Sequence, residues 1–439
     1  MPDIDHLLNG AGTRTRPDKG HLPRHTAKPA RHHPFANGIA LTLVFLLAFG
    51  ASLLGFSYNR MQGNITQQDI GELLGDNRPT SSGTPAPTDI NAGQALNLLV
   101  IGSDSREGEN DVDGAGATGT TSGMRSDTTM LVHIAADRSH VDVVSIPRDT
   151  LVDIPACTLP DGSTTEPQSD VMFNSAFETG SQGGDIGSAA ACTILTVEEL
   201  TGAYVDDFVV VDFAGFINVV DALGGVAMYV PEDIDDHLSG LQLEQGCHLL
   251  DGTEALGFAR VRKTVGDGSD ISRIGRQQDL VLAIIQEALS TNLLRNPPRL
   301  YQFLDTSTQT LTTGSRIGSV STLAGLGTSL ASVRSDDFTF VTMPFEWAGA
   351  RVIPSWDYAD LVWESLRTDT TVDPIYSGDA GAITVALEER EAAEATTTAE
   401  PGPSQQPTTA ETGETAAPSI APSTDPADDP LLCTKETAS

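Results

Sequence analysis

Apolar positions along this chain fall into two rhythms. Leu96–Ile101, Thr129–Ile134, Val141–Ile146, Tyr204–Val211 and Val226–Val230 are short β-rich runs bounded by turn residues, and they predict strands. The first ends in Gly-Ser-Asp, which suits a buried strand running into a loop. The second and third are separated by Ala-Ala-Asp-Arg-Ser-His, a hairpin-sized link. Helical spacing takes over in Ala189–Thr201, which stops at Gly202, and in Phe213–Leu223, which stops at Gly224-Gly225. Thr253–Val261 and Arg273–Leu289 read as two more helices; the second sets Leu280, Val281, Ile284, Ile285 and Ala288 along one side. The alternation predicts an α/β or α+β sandwich built on one central sheet.

One apolar run is of another kind. Gly38–Tyr58 has 21 residues and no charge, enough at about 1.5 Å per residue to cross a hydrocarbon core of about 30 Å. Arg14, Arg16, Lys19, Arg24, Lys28 and Arg31 precede it, against Asp3, Asp5 and Asp18. That excess predicts a cytoplasmic N-terminus and a single-pass anchor in the cell membrane, with the rest of the chain outside the cytoplasm. A cleaved signal peptide would have a shorter apolar region and a shorter charged leader.

Composition divides the remainder. The segments are 1–37, a basic cytoplasmic stretch; 38–58, the span; 59–94, a Gly/Asn/Thr/Pro-rich stalk; 95–376, the globular domain; and 377–439, an Ala/Thr/Glu/Pro-rich tail. The tail cannot bury enough apolar surface to offset ordering entropy, so disorder is expected there. The chain carries 25 Lys+Arg against 60 Asp+Glu, a net charge of −35, which excludes a nucleic-acid partner needing a basic face. Four cysteines allow one or two bridges, which persist outside the cytoplasm.

Against that acidity, the placement of the cations is informative. None lies between Arg148 and Arg260, a stretch of 111 residues, and then Arg260, Arg262, Lys263, Arg273 and Arg276 fall within 17 positions. Arg106, Arg125 and Arg148 each sit at the end of an apolar run. Guanidinium forks at strand ends and at a helix start match phosphate oxygens two at a time. In the helix after Asp270, Arg273, Arg276 and Gln277 share a face near the positive dipole end, where cations are unfavourable without an anionic ligand or a carboxylate neighbour. The plainer reading is a surface salt-bridge network with Asp267, Asp270 and Asp279. Asp104, Asp127 and Asp149 flank the first three strands; two such carboxylates with phosphate oxygens and water would suit Mg²⁺, although aspartate at strand ends is also ordinary turn chemistry. There is no Gly-x-Ser-x-Gly elbow, P-loop or HExxH. His133, His140, His237 and His248 lack ligand-like spacing and read as surface or core residues.

Taken together, NLLVIGSDSR (Asn97 to Arg106), RSDTTMLVHI (Arg125 to Ile134), VVSIPRDTLVDIP (Val143 to Pro155), NSAF (Asn174 to Phe177), VVDFAGFINVVDALGGVAMYVP (Val210 to Pro231), LLDGTEALGFARVRK (Leu249 to Lys263) and GDGSDISRIGRQQ (Gly266 to Gln278) resemble the LytR-CpsA-Psr family of cell-wall glycopolymer ligases. The resemblance implies an α/β/α sandwich with a central mixed sheet and an apolar lipid cavity. It implies a transferase that moves a glycan with its linking phosphate from a polyprenyl-diphosphate carrier to a hydroxyl of peptidoglycan. Mg²⁺ (or Mn²⁺) would be held by Asp104 and Asp127. Arg148, Arg260, Arg262, Arg273 and Arg276 match the pyrophosphate clamp, with Gln277 beside it; Arg106 and Arg125 match further family arginines. Asp270 matches an aspartate with a catalytic or structuring role, and Asp104 or Asp270 is a candidate for deprotonating the acceptor. A non-catalytic binder of anionic lipid or glycan and a polyprenyl-diphosphate pyrophosphatase are the alternatives.

This chain departs from the pattern in three ways. A Gly/Ser-rich insertion lies between Asn110 and Gly123. The accessory C-terminal domain of some members is expected to be absent, with the acidic tail in its place. Many relatives carry a Cys near the position of Met228-Tyr229 that can pair with one matching Cys247, and this chain lacks it. The expectation is therefore a Cys157–Cys192 bridge flanking the Asn174 segment, with Cys247 free or paired to Cys433.

Overall fold

A computed structural model describes residues 34–76, 78–79, 93–103, 124–182, 184–237, 239–261, 270–290, 293, 295–330, 333–398, 433 and 438. They fall in two units, Met1–Phe56 and Ser57–Ser439. The first contains most of helix α1 (Pro34–Asn64), within which Thr42–Asn64 is long and apolar enough to cross a membrane.

The second unit is built on a seven-stranded sheet. In chain order come β1 (Thr66–Gln68), β2 (Leu96–Ser103), β3 (Ser126–Ile134) and β4 (Val141–Ser145). β5 (Leu151–Ile154) and β6 (Gln168–Met172) form a separate pair, and β7 (Asp207–Val211) returns to the sheet. β8 (Val226–Val230) pairs with β11 (Gly246–Leu250), and β9 (Ile234–Asp236) with β10 (Leu241–Leu243). β12 (Leu311–Gly314) and β13 (Phe338–Thr342) complete the order β1-β12-β7-β2-β3-β4-β13. β2 is antiparallel to β3 and parallel to β7; β3 is antiparallel to β4, and β4 is parallel to β13. The sheet is mixed, as the family resemblance implies.

Alternation along β2 assigns the two faces. Leu99 and Ile101, with Leu131 and Val144, pack under α3 (Ser175–Gly180), α4 (Ile186–Thr201) and the helix Trp356–Thr368. Leu98, with Met130, Val141 and Val143, packs on the other face with Ile317 and the helix Val320–Leu330. A third cluster joins α5 (Phe213–Leu223), β8, β11, α6 (Gly252–Arg260) and α7 (Asp270–Ala288). Helices therefore cover both faces, giving three layers.

Local chemistry fixes the helices. α4 starts where Asp185 accepts from the Ser188 amide at 2.6 Å and stops at Gly202, which takes the left-handed conformation at φ 63°. It is almost wholly buried, and Thr193, Thr196 and Thr201 hydroxyls donate one turn back to Ala189, Cys192 and Val197 carbonyls. Gly180 closes α3 directly beneath it; an added Cβ would lie 2.4 Å from the Ser188 carbonyl oxygen. Cys192 of α4 bridges to Cys157, as expected, and Cys247 bridges to Cys433.

Two boundaries differ from the composition-based reading. The stretch 59–94 is not simply a stalk: α1 continues to Asn64, β1 adds an edge strand beside β12, and Met61, Ile65 and Ile70 are buried. Arg78 is strapped to the domain by Glu198 at 2.7 Å, the Val205 carbonyl at 2.6 Å and the Tyr204 ring. A few buried apolar anchors and one guanidinium hold a segment whose average composition reads as linker. Beyond Ser377, Ala380–Thr398 is helical rather than disordered. Its Ala and Glu content supports helix without requiring a core.

Candidate active site

The carboxyl ends of β2, β4 and β7 and the amino end of β3 lie at one end of the sheet, because β3 alone of these runs the other way. Asp127 sits at the start of β3, and Arg148 three residues beyond β4. Nη1 of Arg148 meets Oδ1 of Asp127 at 2.6 Å, and its Nε lies 3.8 Å from Asp149. The pair is partly open, with 18% of the Arg148 and 30% of the Asp127 side chain exposed.

Beside this pair is a cavity of about 510 Å³ between the sheet and α5, α6 and α7. Val100, Met130, Phe216, Leu280, Val281, Ile284 and Ile285 make its wall apolar. Asp127, Arg260, Arg273 and Gln277 border the same space. A volume of this size suits a small-molecule or lipid segment.

Each polar group is positioned by its element. A capping box starts α6: Asp251 accepts from the Glu254 amide at 2.9 Å and Glu254 accepts from the Asp251 amide at 3.1 Å. Arg260 lies in its last turn, where the helix dipole favours a cation, and its guanidinium stands 5.1 Å from the Phe213 ring centroid. Arg273 is 2% exposed, and its Nη2 is 3.5 Å from the Asp127 carbonyl. The Gln277 amide donates to the Ala259 carbonyl at 3.2 Å. Gln278, on the sheet side of α7, donates to Ser145 Oγ at 2.9 Å and so ties the helix to β4.

The structure thus brings together Asp127, Arg148, Arg260, Arg273 and Gln277 from three distant stretches of chain. Arg276 is placed differently: its Nη2 donates to the Val261 carbonyl at 2.5 Å, bracing the end of α6. Arg125 turns toward α3 and pairs with Glu178 at 2.8 Å. Asp104, Arg106 and Arg262 lie outside the described residues, as does the Asp270 side chain, although Asp270 begins α7 as the sequence predicts. Sequence reasoning missed Asp212, Phe213 and Asp236 in the cavity lining. Asp212 caps α5 by accepting from the Gly215 amide at 2.7 Å, so its local signal is that of a helix start. The Leu280-to-Ile285 stripe was visible as a core face but not as a cavity wall.

A model described as the LytR_cpsA_psr family matches residues 57–369. The probable cell wall biosynthesis protein LcpB of Corynebacterium glutamicum is 33% identical over 233 residues, which are 53% of this chain and 51% of that protein. This chain therefore spans about half the length of that relative. The polyisoprenyl-teichoic acid–peptidoglycan teichoic acid transferase TagT of Bacillus subtilis is 31% identical over 251 residues, 56% of this chain and 68% of that protein. Among solved structures, the LytR-Csp2A-Psr enzyme from Actinomyces oris aligns with a TM-score of 0.48 at 22% identity, covering 69% of this chain and 96% of that one.

Proposed function

Because this chain belongs to the LytR-CpsA-Psr family, matched from residue 57 to 369, we propose that it is a phosphotransferase of cell-wall assembly. It moves a glycopolymer with its linking phosphate from a polyprenyl-diphosphate carrier to a hydroxyl of peptidoglycan. The observation that carries this reading is the placement of Arg260, Arg273, Gln277 and the Arg148–Asp127 pair around one apolar cavity. A prenyl chain needs an apolar channel, and the diphosphate at its head needs fixed cations beside that channel. The similarity to TagT, a polyisoprenyl-teichoic acid–peptidoglycan teichoic acid transferase, supports the same class.

In the reaction, the acceptor hydroxyl oxygen attacks the phosphorus nearer the glycan. A phosphodiester bond to the acceptor forms, the P–O bond of the anhydride breaks, and the polyprenyl monophosphate leaves with the electron pair. The acceptor proton passes to a carboxylate, for which Asp104 and Asp270 are the candidates. Charge spreads onto the leaving group, so preplaced guanidinium groups stabilise the transition state more than the ground state. The partly open Asp127 is a hard oxygen donor at the cavity mouth and fits a Mg²⁺ or Mn²⁺ ligand together with Asp104; the ion would add positive charge beside the phosphate oxygens. The apolar span Thr42–Asn64 would anchor the protein with its N-terminus in the cytoplasm and this site outside.

The test is purified full-length protein in detergent with a polyprenyl-diphosphate-linked glycan, Mg²⁺ and peptidoglycan. Glycan on the acceptor, with release of polyprenyl monophosphate, supports transfer. Monophosphate without attachment would make the protein a pyrophosphatase, and neither product would leave a binding protein.

A further inference from the structure

At the opposite end of β3 and β4 lies a second polar cluster, which the transfer reaction does not use. His133 and Asp142 are directly paired across these strands, and both are fully buried. His140 stands just before β4, and Asp369 is the left-handed residue, φ 56°, that ends the helix Trp356–Thr368. One ligand atom from each of His133, His140 and Asp369 lies within 4.8 Å of the other two. His133 Nε2 is 3.1 Å from Asp369 Oδ1, and His140 Nε2 is 3.5 Å from Asp142 Oδ2.

Both rings are oriented from behind. Asn97 donates through Nδ2 to the Tyr204 carbonyl at 2.8 Å, so its Oδ1 faces His133 Nδ1 at 2.7 Å. That oxygen can only accept, so the ring proton sits on Nδ1 and Nε2 is turned toward Asp369. His140 Nδ1 is 2.9 Å from the Ser139 hydroxyl, which leaves its Nε2 for Asp142. Neither oxygen of the buried Asp142 makes a hydrogen bond of normal geometry; the Val372 backbone and the Thr339 side chain approach it without doing so. One carboxylate oxygen of Asp369 and a nitrogen from each imidazole therefore converge, with the buried Asp142 beside His140. Acceptors gathered in this way are costly without a cation among them.

We propose that this cluster is a zinc site, with one ring nitrogen each of His133 and His140 and one oxygen of Asp369 as ligands, and with the buried Asp142 beside His140. Zinc bonds of about 2.0–2.2 Å in a tetrahedron hold ligand atoms roughly 3.3–3.6 Å apart. The His133–Asp369 separation of 3.1 Å is close to that span, and the three ligand atoms all lie within 4.8 Å of one another. The Asn97 and Ser139 contacts supply the second layer of hydrogen bonds that metal-bound imidazoles require. Three protein ligands leave the fourth position to water, and the elements that the ion joins give its task. It fastens the end of Trp356–Thr368 to the β3–β4 hairpin, six residues along β3 from Asp127, or about 20 Å.

The full-length protein in detergent, stripped with a chelator, is titrated with Zn²⁺ by calorimetry, and its melting is followed with and without Zn²⁺. One equivalent should bind and raise the melting temperature. His140→Gln and Asp369→Asn alter partly exposed side chains, and each should weaken binding at least tenfold. Ser139→Ala, which touches no metal, should weaken it about tenfold. Asp127→Asn should bind zinc like the unaltered protein, which separates this site from the cavity. Co²⁺ in place of Zn²⁺ should give the visible absorption of a tetrahedral site. Failure to bind zinc would overturn the proposal, as would His140→Gln and Asp369→Asn binding it with unchanged affinity, which marks an adventitious ion.

Discussion

β3 carries a polar cluster at each end, and the two have opposite characters. Around Asp127, the guanidinium groups of Arg260 and Arg273 border a space walled by Leu280, Ile284 and Phe216, and Arg148 pairs with Asp127 beside it. Around His133, carboxylates meet imidazoles, and the central pair, His133 and Asp142, has no exposed surface. Cations facing an open apolar volume suit an anion that arrives with a lipid and leaves. Buried acceptors suit a cation that stays. The same two strands thus serve exchange at one end and fastening at the other.

The sharpest way to break that contrast is Arg260→Ala. Turnover should fall about 10²–10³-fold, the scale of losing one preplaced charge on the transition state. The melting temperature should stay nearly unchanged, since Arg260 ends a helix whose capping box is intact. Full turnover in single-turnover assays would remove Arg260 from the clamp. The Cys157→Ala/Cys192→Ala variant probes the scaffold between the ends. Opening a bridge of sequence separation 35 should cost about 3–4 kcal/mol in denaturant unfolding, while zinc binding and low-temperature activity persist. Asp127→Asn should lower turnover roughly 10–100-fold, consistent with about 1.5–3 kcal/mol for a charged hydrogen-bonding partner, and should blunt the response to added Mg²⁺. Ile284→Arg puts a charge into the apolar wall. It should raise KM about tenfold for long-prenyl substrates with less effect on short ones, because only the long chain needs the cavity; each removed decade is about 1.4 kcal/mol.

Much of the exchange end was legible in the sequence. The strands and helices that carry or adjoin Asp127, Arg148, Arg260 and Arg273 announce themselves by apolar periodicity, and the neighbouring α4 and α5 by their Gly stops, Gly202 and Gly224. Arginine in so acidic a chain is conspicuous, and its clustering pointed to phosphate. The fate of individual arginines was not legible. Arg276 shares a helix face with Arg273, yet it braces Val261, and Arg125 is drawn off by Glu178; such partners are set by tertiary packing. The fastening end was missed because its spacing is not a helical or loop motif. His133, His140 and Asp142 converge through the register of an antiparallel pair, and Asp369 arrives from more than 200 residues away. Likewise, the stalk reading failed because Ile65, Ile70 and Arg78 anchor a stretch that is polar on average.

The Cys247–Cys433 bridge turns the chain from Cys247 in β11 to Cys433 into a covalent ring. A protease that cuts once anywhere in that ring opens it but severs nothing. The segment that ends at Cys433 would stay tethered to β11 until the bridge itself is reduced, so releasing it takes two events rather than one.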